Sequence, residues 1–431
     1  MAILWNSCKN NTAGNTFNLS NSYVREWDES SIGFFDAWVL AGDGSTTLYK
    51  NSGSTLDQNH GYELVQQSPT TYTFSGELLD TDFTQSLPYT SGVAFAGQHI
   101  FGNPFTAAIN IADIQFGLTN TEKAVYLYNT GTFTDWSNAG GFSDPGNGPG
   151  QYTVSTPLTA GSGSVPSQIP TSGSFLVKSF GGTGSITIPK AGGLVANIDQ
   201  QRIKKQNLSS ALKVNTRIDL IGQKFSDRMW IFTDASCSRN FDNGWDGRKI
   251  LGSSQVSQLY SIENDGNYQI NAVNDMNESY IGFQAGEDTQ FKMVFNHENT
   301  DKIYGKIYLV DLLANKTIDI TQNGTEYAFT ANANDATKRF KIITQTTGTL
   351  NPTESSSKLK MFNTSEAIYI QNFTEKTATY MLYNASGKAI QTINVDPNSM
   401  ITVNTNSLNS GIYIAKSETE TEKATLRLII R

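Results

Sequence analysis

The chain has 431 residues, a formal net charge of −8, 38% hydrophobic and 16% charged residues, and two cysteines. That length exceeds what one hydrophobic core usually serves, so several domains are expected. The acidity, with no basic cluster denser than Arg202, Lys204 and Lys205, disfavours nucleic acid as a partner, and no apolar run of about 18 residues is present to span a membrane as a helix.

Taken in chain order, residues 1–30 show no basic start and no apolar h-region, so no signal peptide is read there. Met1 is read as the start of a fragment or a processed chain. The first part then repeats. Val24-Arg25-Glu26-Trp27-Asp28 returns as Val125-Tyr126-Leu127-Tyr128-Asn129. Gly61-Tyr62-Glu63-Leu64-Val65-Gln66 returns as Gly173-Ser174-Phe175-Leu176-Val177-Lys178. Thr71-Tyr72-Thr73-Phe74 returns as Ser185-Ile186-Thr187-Ile188. The order is kept, so residues 1–190 are predicted to be a two-part, repeated β-sandwich block. Ile109 to Phe116 and Asp335 to Lys338 leave room for short helices. The tract 140–150 reads as a glycine- and proline-rich loop, and residues 190–211 as a linker.

A second sandwich is predicted over 191–345. Phe291, Met293 and Phe295 share one face at the period of a half-buried strand. Asn264-Asp265-Gly266-Asn267 between two apolar runs is a hairpin signal, because the pair Asp-Gly accepts positive φ. Residues 346–358 read as an exposed hinge. A small Ig-like sandwich follows over 355–431, with the turn Asn384-Ala385-Ser386-Gly387 and the alternating Leu426, Leu428 and Ile430. The fold class is therefore all-β: several antiparallel sandwiches.

The inventory of chemistry is thin. No nucleophile elbow, zinc-binding helix, phosphate loop, calcium-binding helix pair or dinucleotide fingerprint occurs. Cys8 and Cys237 lie far apart and outside any C-x-x-C pair, so neither zinc nor redox chemistry is supported. His60, His99 and His297 show no metal-ligand spacing, although His60 and His99 can meet in space. Asp80 and Asp82 fall on one face of an expected strand, which does not flank a sugar as glycosidase carboxylates do. The best site is the loop Asp242-Asn243-Gly244-Trp245-Asp246. Asp242, Asn243 and Asp246 offer hard oxygen ligands suited to calcium, against the plainer reading of an Asx-rich turn. Trp27, Trp38, Trp136 and Trp245 are the candidates for stacking on sugar rings, against ordinary core packing.

Three stretches carry a family resemblance. The run Ile100-Phe101-Gly102-Asn103-Pro104-Phe105, with Ala124-Val125-Tyr126-Leu127-Tyr128-Asn129 and Ile169 to Lys178, resembles a pattern near the C-termini of large secreted Bacteroidetes surface proteins. Residues 210–345 resemble the sandwich that follows it there, through Trp230-Ile231-Phe232, Phe241 to Asp246, Ile281 to Gly286 and Tyr327 to Ala331. Residues 359–431 are similar to the C-terminal sorting domain of the type IX secretion system, through Tyr383 to Lys388, Leu408 to Ile414 and the basic terminal strand ending at Arg431. The resemblance implies secretion, display on the outer cell surface, secretion machinery as the partner of 359–431, and no catalytic motif. The expected function is a non-catalytic surface protein, adhesin-like or glycan-binding, that meets a glycan or a host or cell-surface protein. The alternative is the C-terminal accessory region of a larger polysaccharide-degrading enzyme.

Overall fold

The computed structural model describes residues 2–5, 11–12, 22–30, 38–39, 55–56, 60–66, 71–74, 77–128, 151–196, 213–252, 254–346, 359–363, 367–372, 374–397, 399–404, 408–409, 411–418 and 423–430. It packs as two compact units. The first comprises Met1–Met276, Ile281–Thr300 and Gln322–Lys338; the second comprises Asn277–Tyr280, Asp301–Thr321 and Arg339–Arg431.

The first unit opens with one strand plan used twice. Gly61–Gln66 lies between Ala2–Trp5 and Ser22–Trp27, with Trp38–Val39 beyond. Ser174–Ser179 lies likewise between Gln98–Gly102 and Thr121–Tyr128, with Tyr152–Ser155 beyond. Each copy adds a short ladder, Asn11–Thr12 with Thr55–Leu56 and Ala108–Asn110 with Gln168–Ile169. Two of the three sequence matches thus fall on paired strands. Their register differs by one residue: Val24 faces Leu64, whereas Tyr126 faces Leu176, next to an irregularity after Glu122. The third match does not fall on strands, since Thr71 to Phe74 is irregular. Gly184–Ile188 pairs instead with Phe83–Leu87.

The second four-stranded sheet is buried on both faces. Phe101, Val125, Phe175 and Val177 enter one core with Phe83, Ile109 and Ile186. Their neighbours Ile100, Ala124, Tyr126 and Leu176 enter another core with Trp230, Phe232, Ile270 and Ala272. Successive side chains point to opposite faces, so a strand clad on both sides must read as an unbroken apolar run. Phe-Leu-Val at 175–177 is such a run, and all three residues are buried.

The second of those cores is shared with the strands after residue 213. Their order is Thr325–Thr330, Gln290–Glu298, Val214–Ile221, Ser226–Thr233, Gly266–Val273, Gln258–Glu263. All these pairs are antiparallel except Ser226–Thr233 with Gly266–Val273, which is parallel. A parallel pair needs a long crossover, and the crossover here holds the Asp242 to Asp246 loop. Phe291, Met293 and Phe295 are buried as their spacing predicts. The hairpin turn falls on Asn264-Asp265, with Glu263 facing Gly266. Ile111–Asp113 forms one 3-10 turn, whereas Asp335 to Lys338 is irregular chain leading into a strand.

In the second unit, Tyr304–Asp311 lies between Lys316–Asp319 and Lys338–Thr346. Asp311, fully buried, is fixed there by Arg339 at 2.9 Å. The C-terminal sandwich has one sheet of Leu359–Asn363, Ala367–Asn372 and Ser399–Asn404. Its other sheet runs Ala389–Val395, Ala378–Asn384, Gly411–Glu418, Lys423–Ile430. Ile368, Ile370, Tyr380, Leu382 and Val395 fill the space between them. The Asn384 side-chain oxygen accepts the N–H groups of Ser386 and Lys388, and Gly387 takes φ 78°, which closes the expected turn.

Double burial sets a measurable penalty. Phe175→Ala and Leu176→Ala, facing opposite cores, should each cost about 2–5 kcal/mol. The same change at Leu118, 94% exposed, should stay within about 0.5 kcal/mol. Urea unfolding of the three variants checks this, and a silent Leu176→Ala would contradict burial of the second face.

Candidate functional site

The loop singled out in the sequence is built as a clasp. Asp242 accepts the Ser238 N–H at 2.6 Å. Asp246 accepts the N–H of Asp242 at 2.7 Å and of Ala272 at 2.6 Å, one on each carboxylate oxygen. Asn243 reaches outward: its side-chain oxygen accepts the Lys123 N–H at 2.7 Å, and its amide donates to the Thr121 carbonyl at 2.9 Å. Gly244, at φ 102°, supplies the left-handed turn between them. The loop therefore ties the crossover to the strand Thr121–Tyr128. Trp245 packs against the shared core, and the Lys213 ammonium lies 5.1 Å from its ring centre, a cation–π contact over one face.

The carboxylates of this loop face backbone donors, and a cation would have to displace them. Among the described residues, no group of three or more His, Cys, Asp or Glu side chains is placed to hold a metal ion. Burial pushes Asp246 up to about 7, against the lowering pull of its two N–H partners and with a further upward push from Asp242 and Asp265. Cys237, buried and free beside the loop, is pushed up to about 12 by burial first and by Asp242 and Asp234 next. Its thiol is thereby held in the unreactive form.

Trp27 stands elsewhere. Its indole N–H donates to the Gln98 carbonyl at 2.8 Å, and its ring meets Phe95 edge-on at 5.2 Å. Two residues on, Glu29 accepts Thr90 N–H and hydroxyl, both at 2.8 Å, and Gly97 N–H at 2.5 Å. Burial alone would raise its pKa, yet these donors hold it below the usual carboxylate range. Trp27 and Glu29 thus join the first copy of the repeat to the second. Trp136 lies outside the described residues, as does Cys8.

His60 and His99 come close enough to interact, and each also has a partner of its own. His297 bonds Thr216 at 2.9 Å. His99 bonds the Pro88 carbonyl at 2.8 Å and stacks on Phe101. Burial, and secondarily His60, lower its pKa. His60 lies 3.5 Å from Glu26. Asp80 and Asp82 precede the strand Phe83–Leu87 rather than sharing its face, and Asp82 accepts the Lys190 N–H at 2.9 Å.

Sequence reasoning missed the buried charges. Arg25 pairs with Glu63 directly across two strands. Lys249 meets Asp227 at 2.5 Å, both almost fully buried. Tyr126 donates to Glu122, and Lys178 lies 4.3 Å over the Tyr126 ring. For Arg25 and Glu63 the sequence carries a signal, opposite charges on two expected strands; the other two contacts leave none. A shallow recess of about 480 Å³ beside Ile221, Gln290, Phe291 and Phe329 has Lys292 as its sole charged wall residue. Chemically, these groups can hold chain segments together. They do not gather a base and a nucleophile around one vacant position.

Comparison with known proteins matches two separate stretches of the chain. Residues 3–343 match the family described as Domain of unknown function (DUF8693), and residues 362–431 match the Secretion system C-terminal sorting domain. The chain is 31% identical over 424 residues to the Minor fimbrium subunit Mfa5 of Porphyromonas gingivalis. The match covers 95% of this chain and 33% of that protein, so the chain spans about a third of the relative's length.

The raised Asp246 makes a pH prediction. Its pKa is near 3.8 in an unfolded chain and about 7 when folded. Its contribution to stability is therefore full below about pH 4 and is lost as the pH rises through about 7. Urea midpoints measured at pH 5 and pH 8 should differ less in Asp246→Asn than in the parent. An equal difference in both would show that Asp246 does not titrate there.

Proposed function

We propose, from the fact that the chain belongs to the family of the domain of unknown function DUF8693, that it is a non-catalytic, adhesin-like building block of a surface assembly. It is a secreted or outer-cell-surface protein of the Bacteroidetes kind, carrying a type IX sorting tail at residues 362–431. The observation that carries the proposal is the likeness to a fimbrium subunit along 95% of the chain. The geometry supports it: the carboxylates and histidines described above are engaged in tying strands and loops together, which suits a load-bearing scaffold.

Binding of a glycan or a host or cell-surface protein is the finer part of the reading. Trp27 and Trp245 keep part of their surface accessible while anchored in place, and rigid aromatic rings stack on sugars at low entropic cost. Calcium on Asp242, Asn243 and Asp246 is the second reading of the same loop, and there it would compete with backbone N–H groups that already supply the positive partners.

The experiment is to recover surface assemblies from intact cells and probe them for this chain. Co-isolation with the assembly, absence of polysaccharide or peptide hydrolysis by the purified chain, and reduced binding in a glycan array for Trp245→Ala are expected. Hydrolysis that disappears in Asp242→Ala would overturn the non-catalytic reading. A chain recovered only free of any assembly would overturn the building-block reading. For calcium, a chelator should leave the melting temperature unchanged; a drop of several degrees would instead assign a structural ion to the loop.

A further inference from the structure

The strand Ala367–Asn372 of the C-terminal sandwich is buried at all six positions. Period two sends Ile368 and Ile370 into the sandwich's own core. Ala367, Tyr369 and Gln371 point the other way, where an isolated sandwich would meet water. They do not meet it: Tyr369 is 4% exposed and Gln371 also 4%. Strand Ala389–Val395, by contrast, has its first four residues exposed, so the burial belongs to one face and not to the sandwich as a whole.

The cover is formed by the strands Tyr304–Asp311 and Lys338–Thr346 of the same unit. Tyr308 and Ile343 face each other across its ladder, and Val310 faces Lys341. With these alternations the four residues share one face. Tyr308, Val310 and Ile343 form one buried cluster with Ala367 and Tyr369, and Met400 packs against it. Lys341 completes the seat, with its ammonium 3.5 Å from Glu278 and 5.0 Å over the Tyr280 ring.

We propose that this face is a docking interface whose occupant is the chain's own C-terminal sandwich. The sandwich is seated on Tyr308, Val310, Lys341 and Ile343 through Ala367, Tyr369 and Met400. It is therefore held by packing as well as by the peptide chain, and it stays attached when the chain is cut between the two. This deepens the reading of residues 362–431 as a sorting tail by adding how the tail is retained, yet the packing argument stands whether or not the tail is recognised for secretion.

The test uses the full chain with a specific protease site placed between residues 347 and 358. After complete cleavage, the C-terminal fragment should co-elute with the body in size-exclusion chromatography under native conditions. Tyr369→Ala on the sandwich and Tyr308→Ala on the seat should each weaken retention by about tenfold, the size of effect expected when a buried aromatic anchor is truncated. Tyr308→Ala leaves the sandwich sequence untouched, so a loss there cannot come from unfolding of the fragment. Separation of the cut parent chain overturns the proposal, and so does retention that neither substitution changes. A failure of secretion in cells, with retention intact in vitro, would count against the sorting role and not against the docking.

Discussion

The first unit depends on one sheet that has no solvent face. Gln98–Gly102, Ser174–Ser179, Thr121–Tyr128 and Tyr152–Ser155 are clad by separate cores on their two sides. Because side chains alternate strictly, a slip of one residue would exchange the two sets and put Phe175 where Leu176 belongs. Both surfaces then have to accommodate the wrong volumes, and close-packed interiors resist even small mismatches. Register is thus specified twice over, and the sheets on either side inherit it. The strand Ala367–Asn372 applies the same rule on a smaller scale in the second unit.

Burying a sheet on both faces leaves its ends as the vulnerable points, where backbone groups leave the ladder away from water. The chain answers with polar side chains aimed at backbone. Asn103, fully buried, donates to the carbonyls of Ala107, Ile169 and Pro170 and accepts the Phe105 N–H. Asn372, also fully buried, donates to Lys376, Val395 and Asp396 and accepts the Thr374 N–H. The same amide thus performs the same task in two sandwiches. Glu29, Asp246 and Asp227 do the equivalent with carboxylates. An unsatisfied buried donor costs about 1–3 kcal/mol, so these residues are worth more to the fold than any exposed ion pair, which contributes about 0–1 kcal/mol.

Strand existence was readable from alternation at Gln290 to Asn296 and from unbroken apolar runs at Phe175 to Val177. Turn chemistry was readable at Asn264-Asp265 and at Asn384 to Gly387. The repeat was visible where strands are central, since burial constrains the residue types there. It misled at Thr71 to Phe74, because a quartet alternating threonine with aromatic residues has the same pattern whether it pairs or only covers a core beside Tyr62 and Leu64. The parallel pairing of Ser226–Thr233 with Gly266–Val273 was not readable at all. Direction is decided by how the crossover packs, and no local pattern records it. At the Asp242 to Asp246 loop, residue type alone cannot tell ligands for a cation from acceptors for N–H groups. That distinction rests on Lys123, Ser238 and Ala272, which are distant or unremarkable in sequence.

These commitments bear on what the molecule can do. The Asp246 carboxylate is committed to two backbone N–H groups, and a thiol pushed up to about 12 offers little nucleophile at neutral pH. The buried pairs Arg25–Glu63, Asp227–Lys249 and Asp311–Arg339 are likewise costly to break singly, since the partner left behind would remain charged and dry. Chemistry at such positions would compete with folding, whereas contact through the outer surface would not. The polar groups described here are thus committed to the fold.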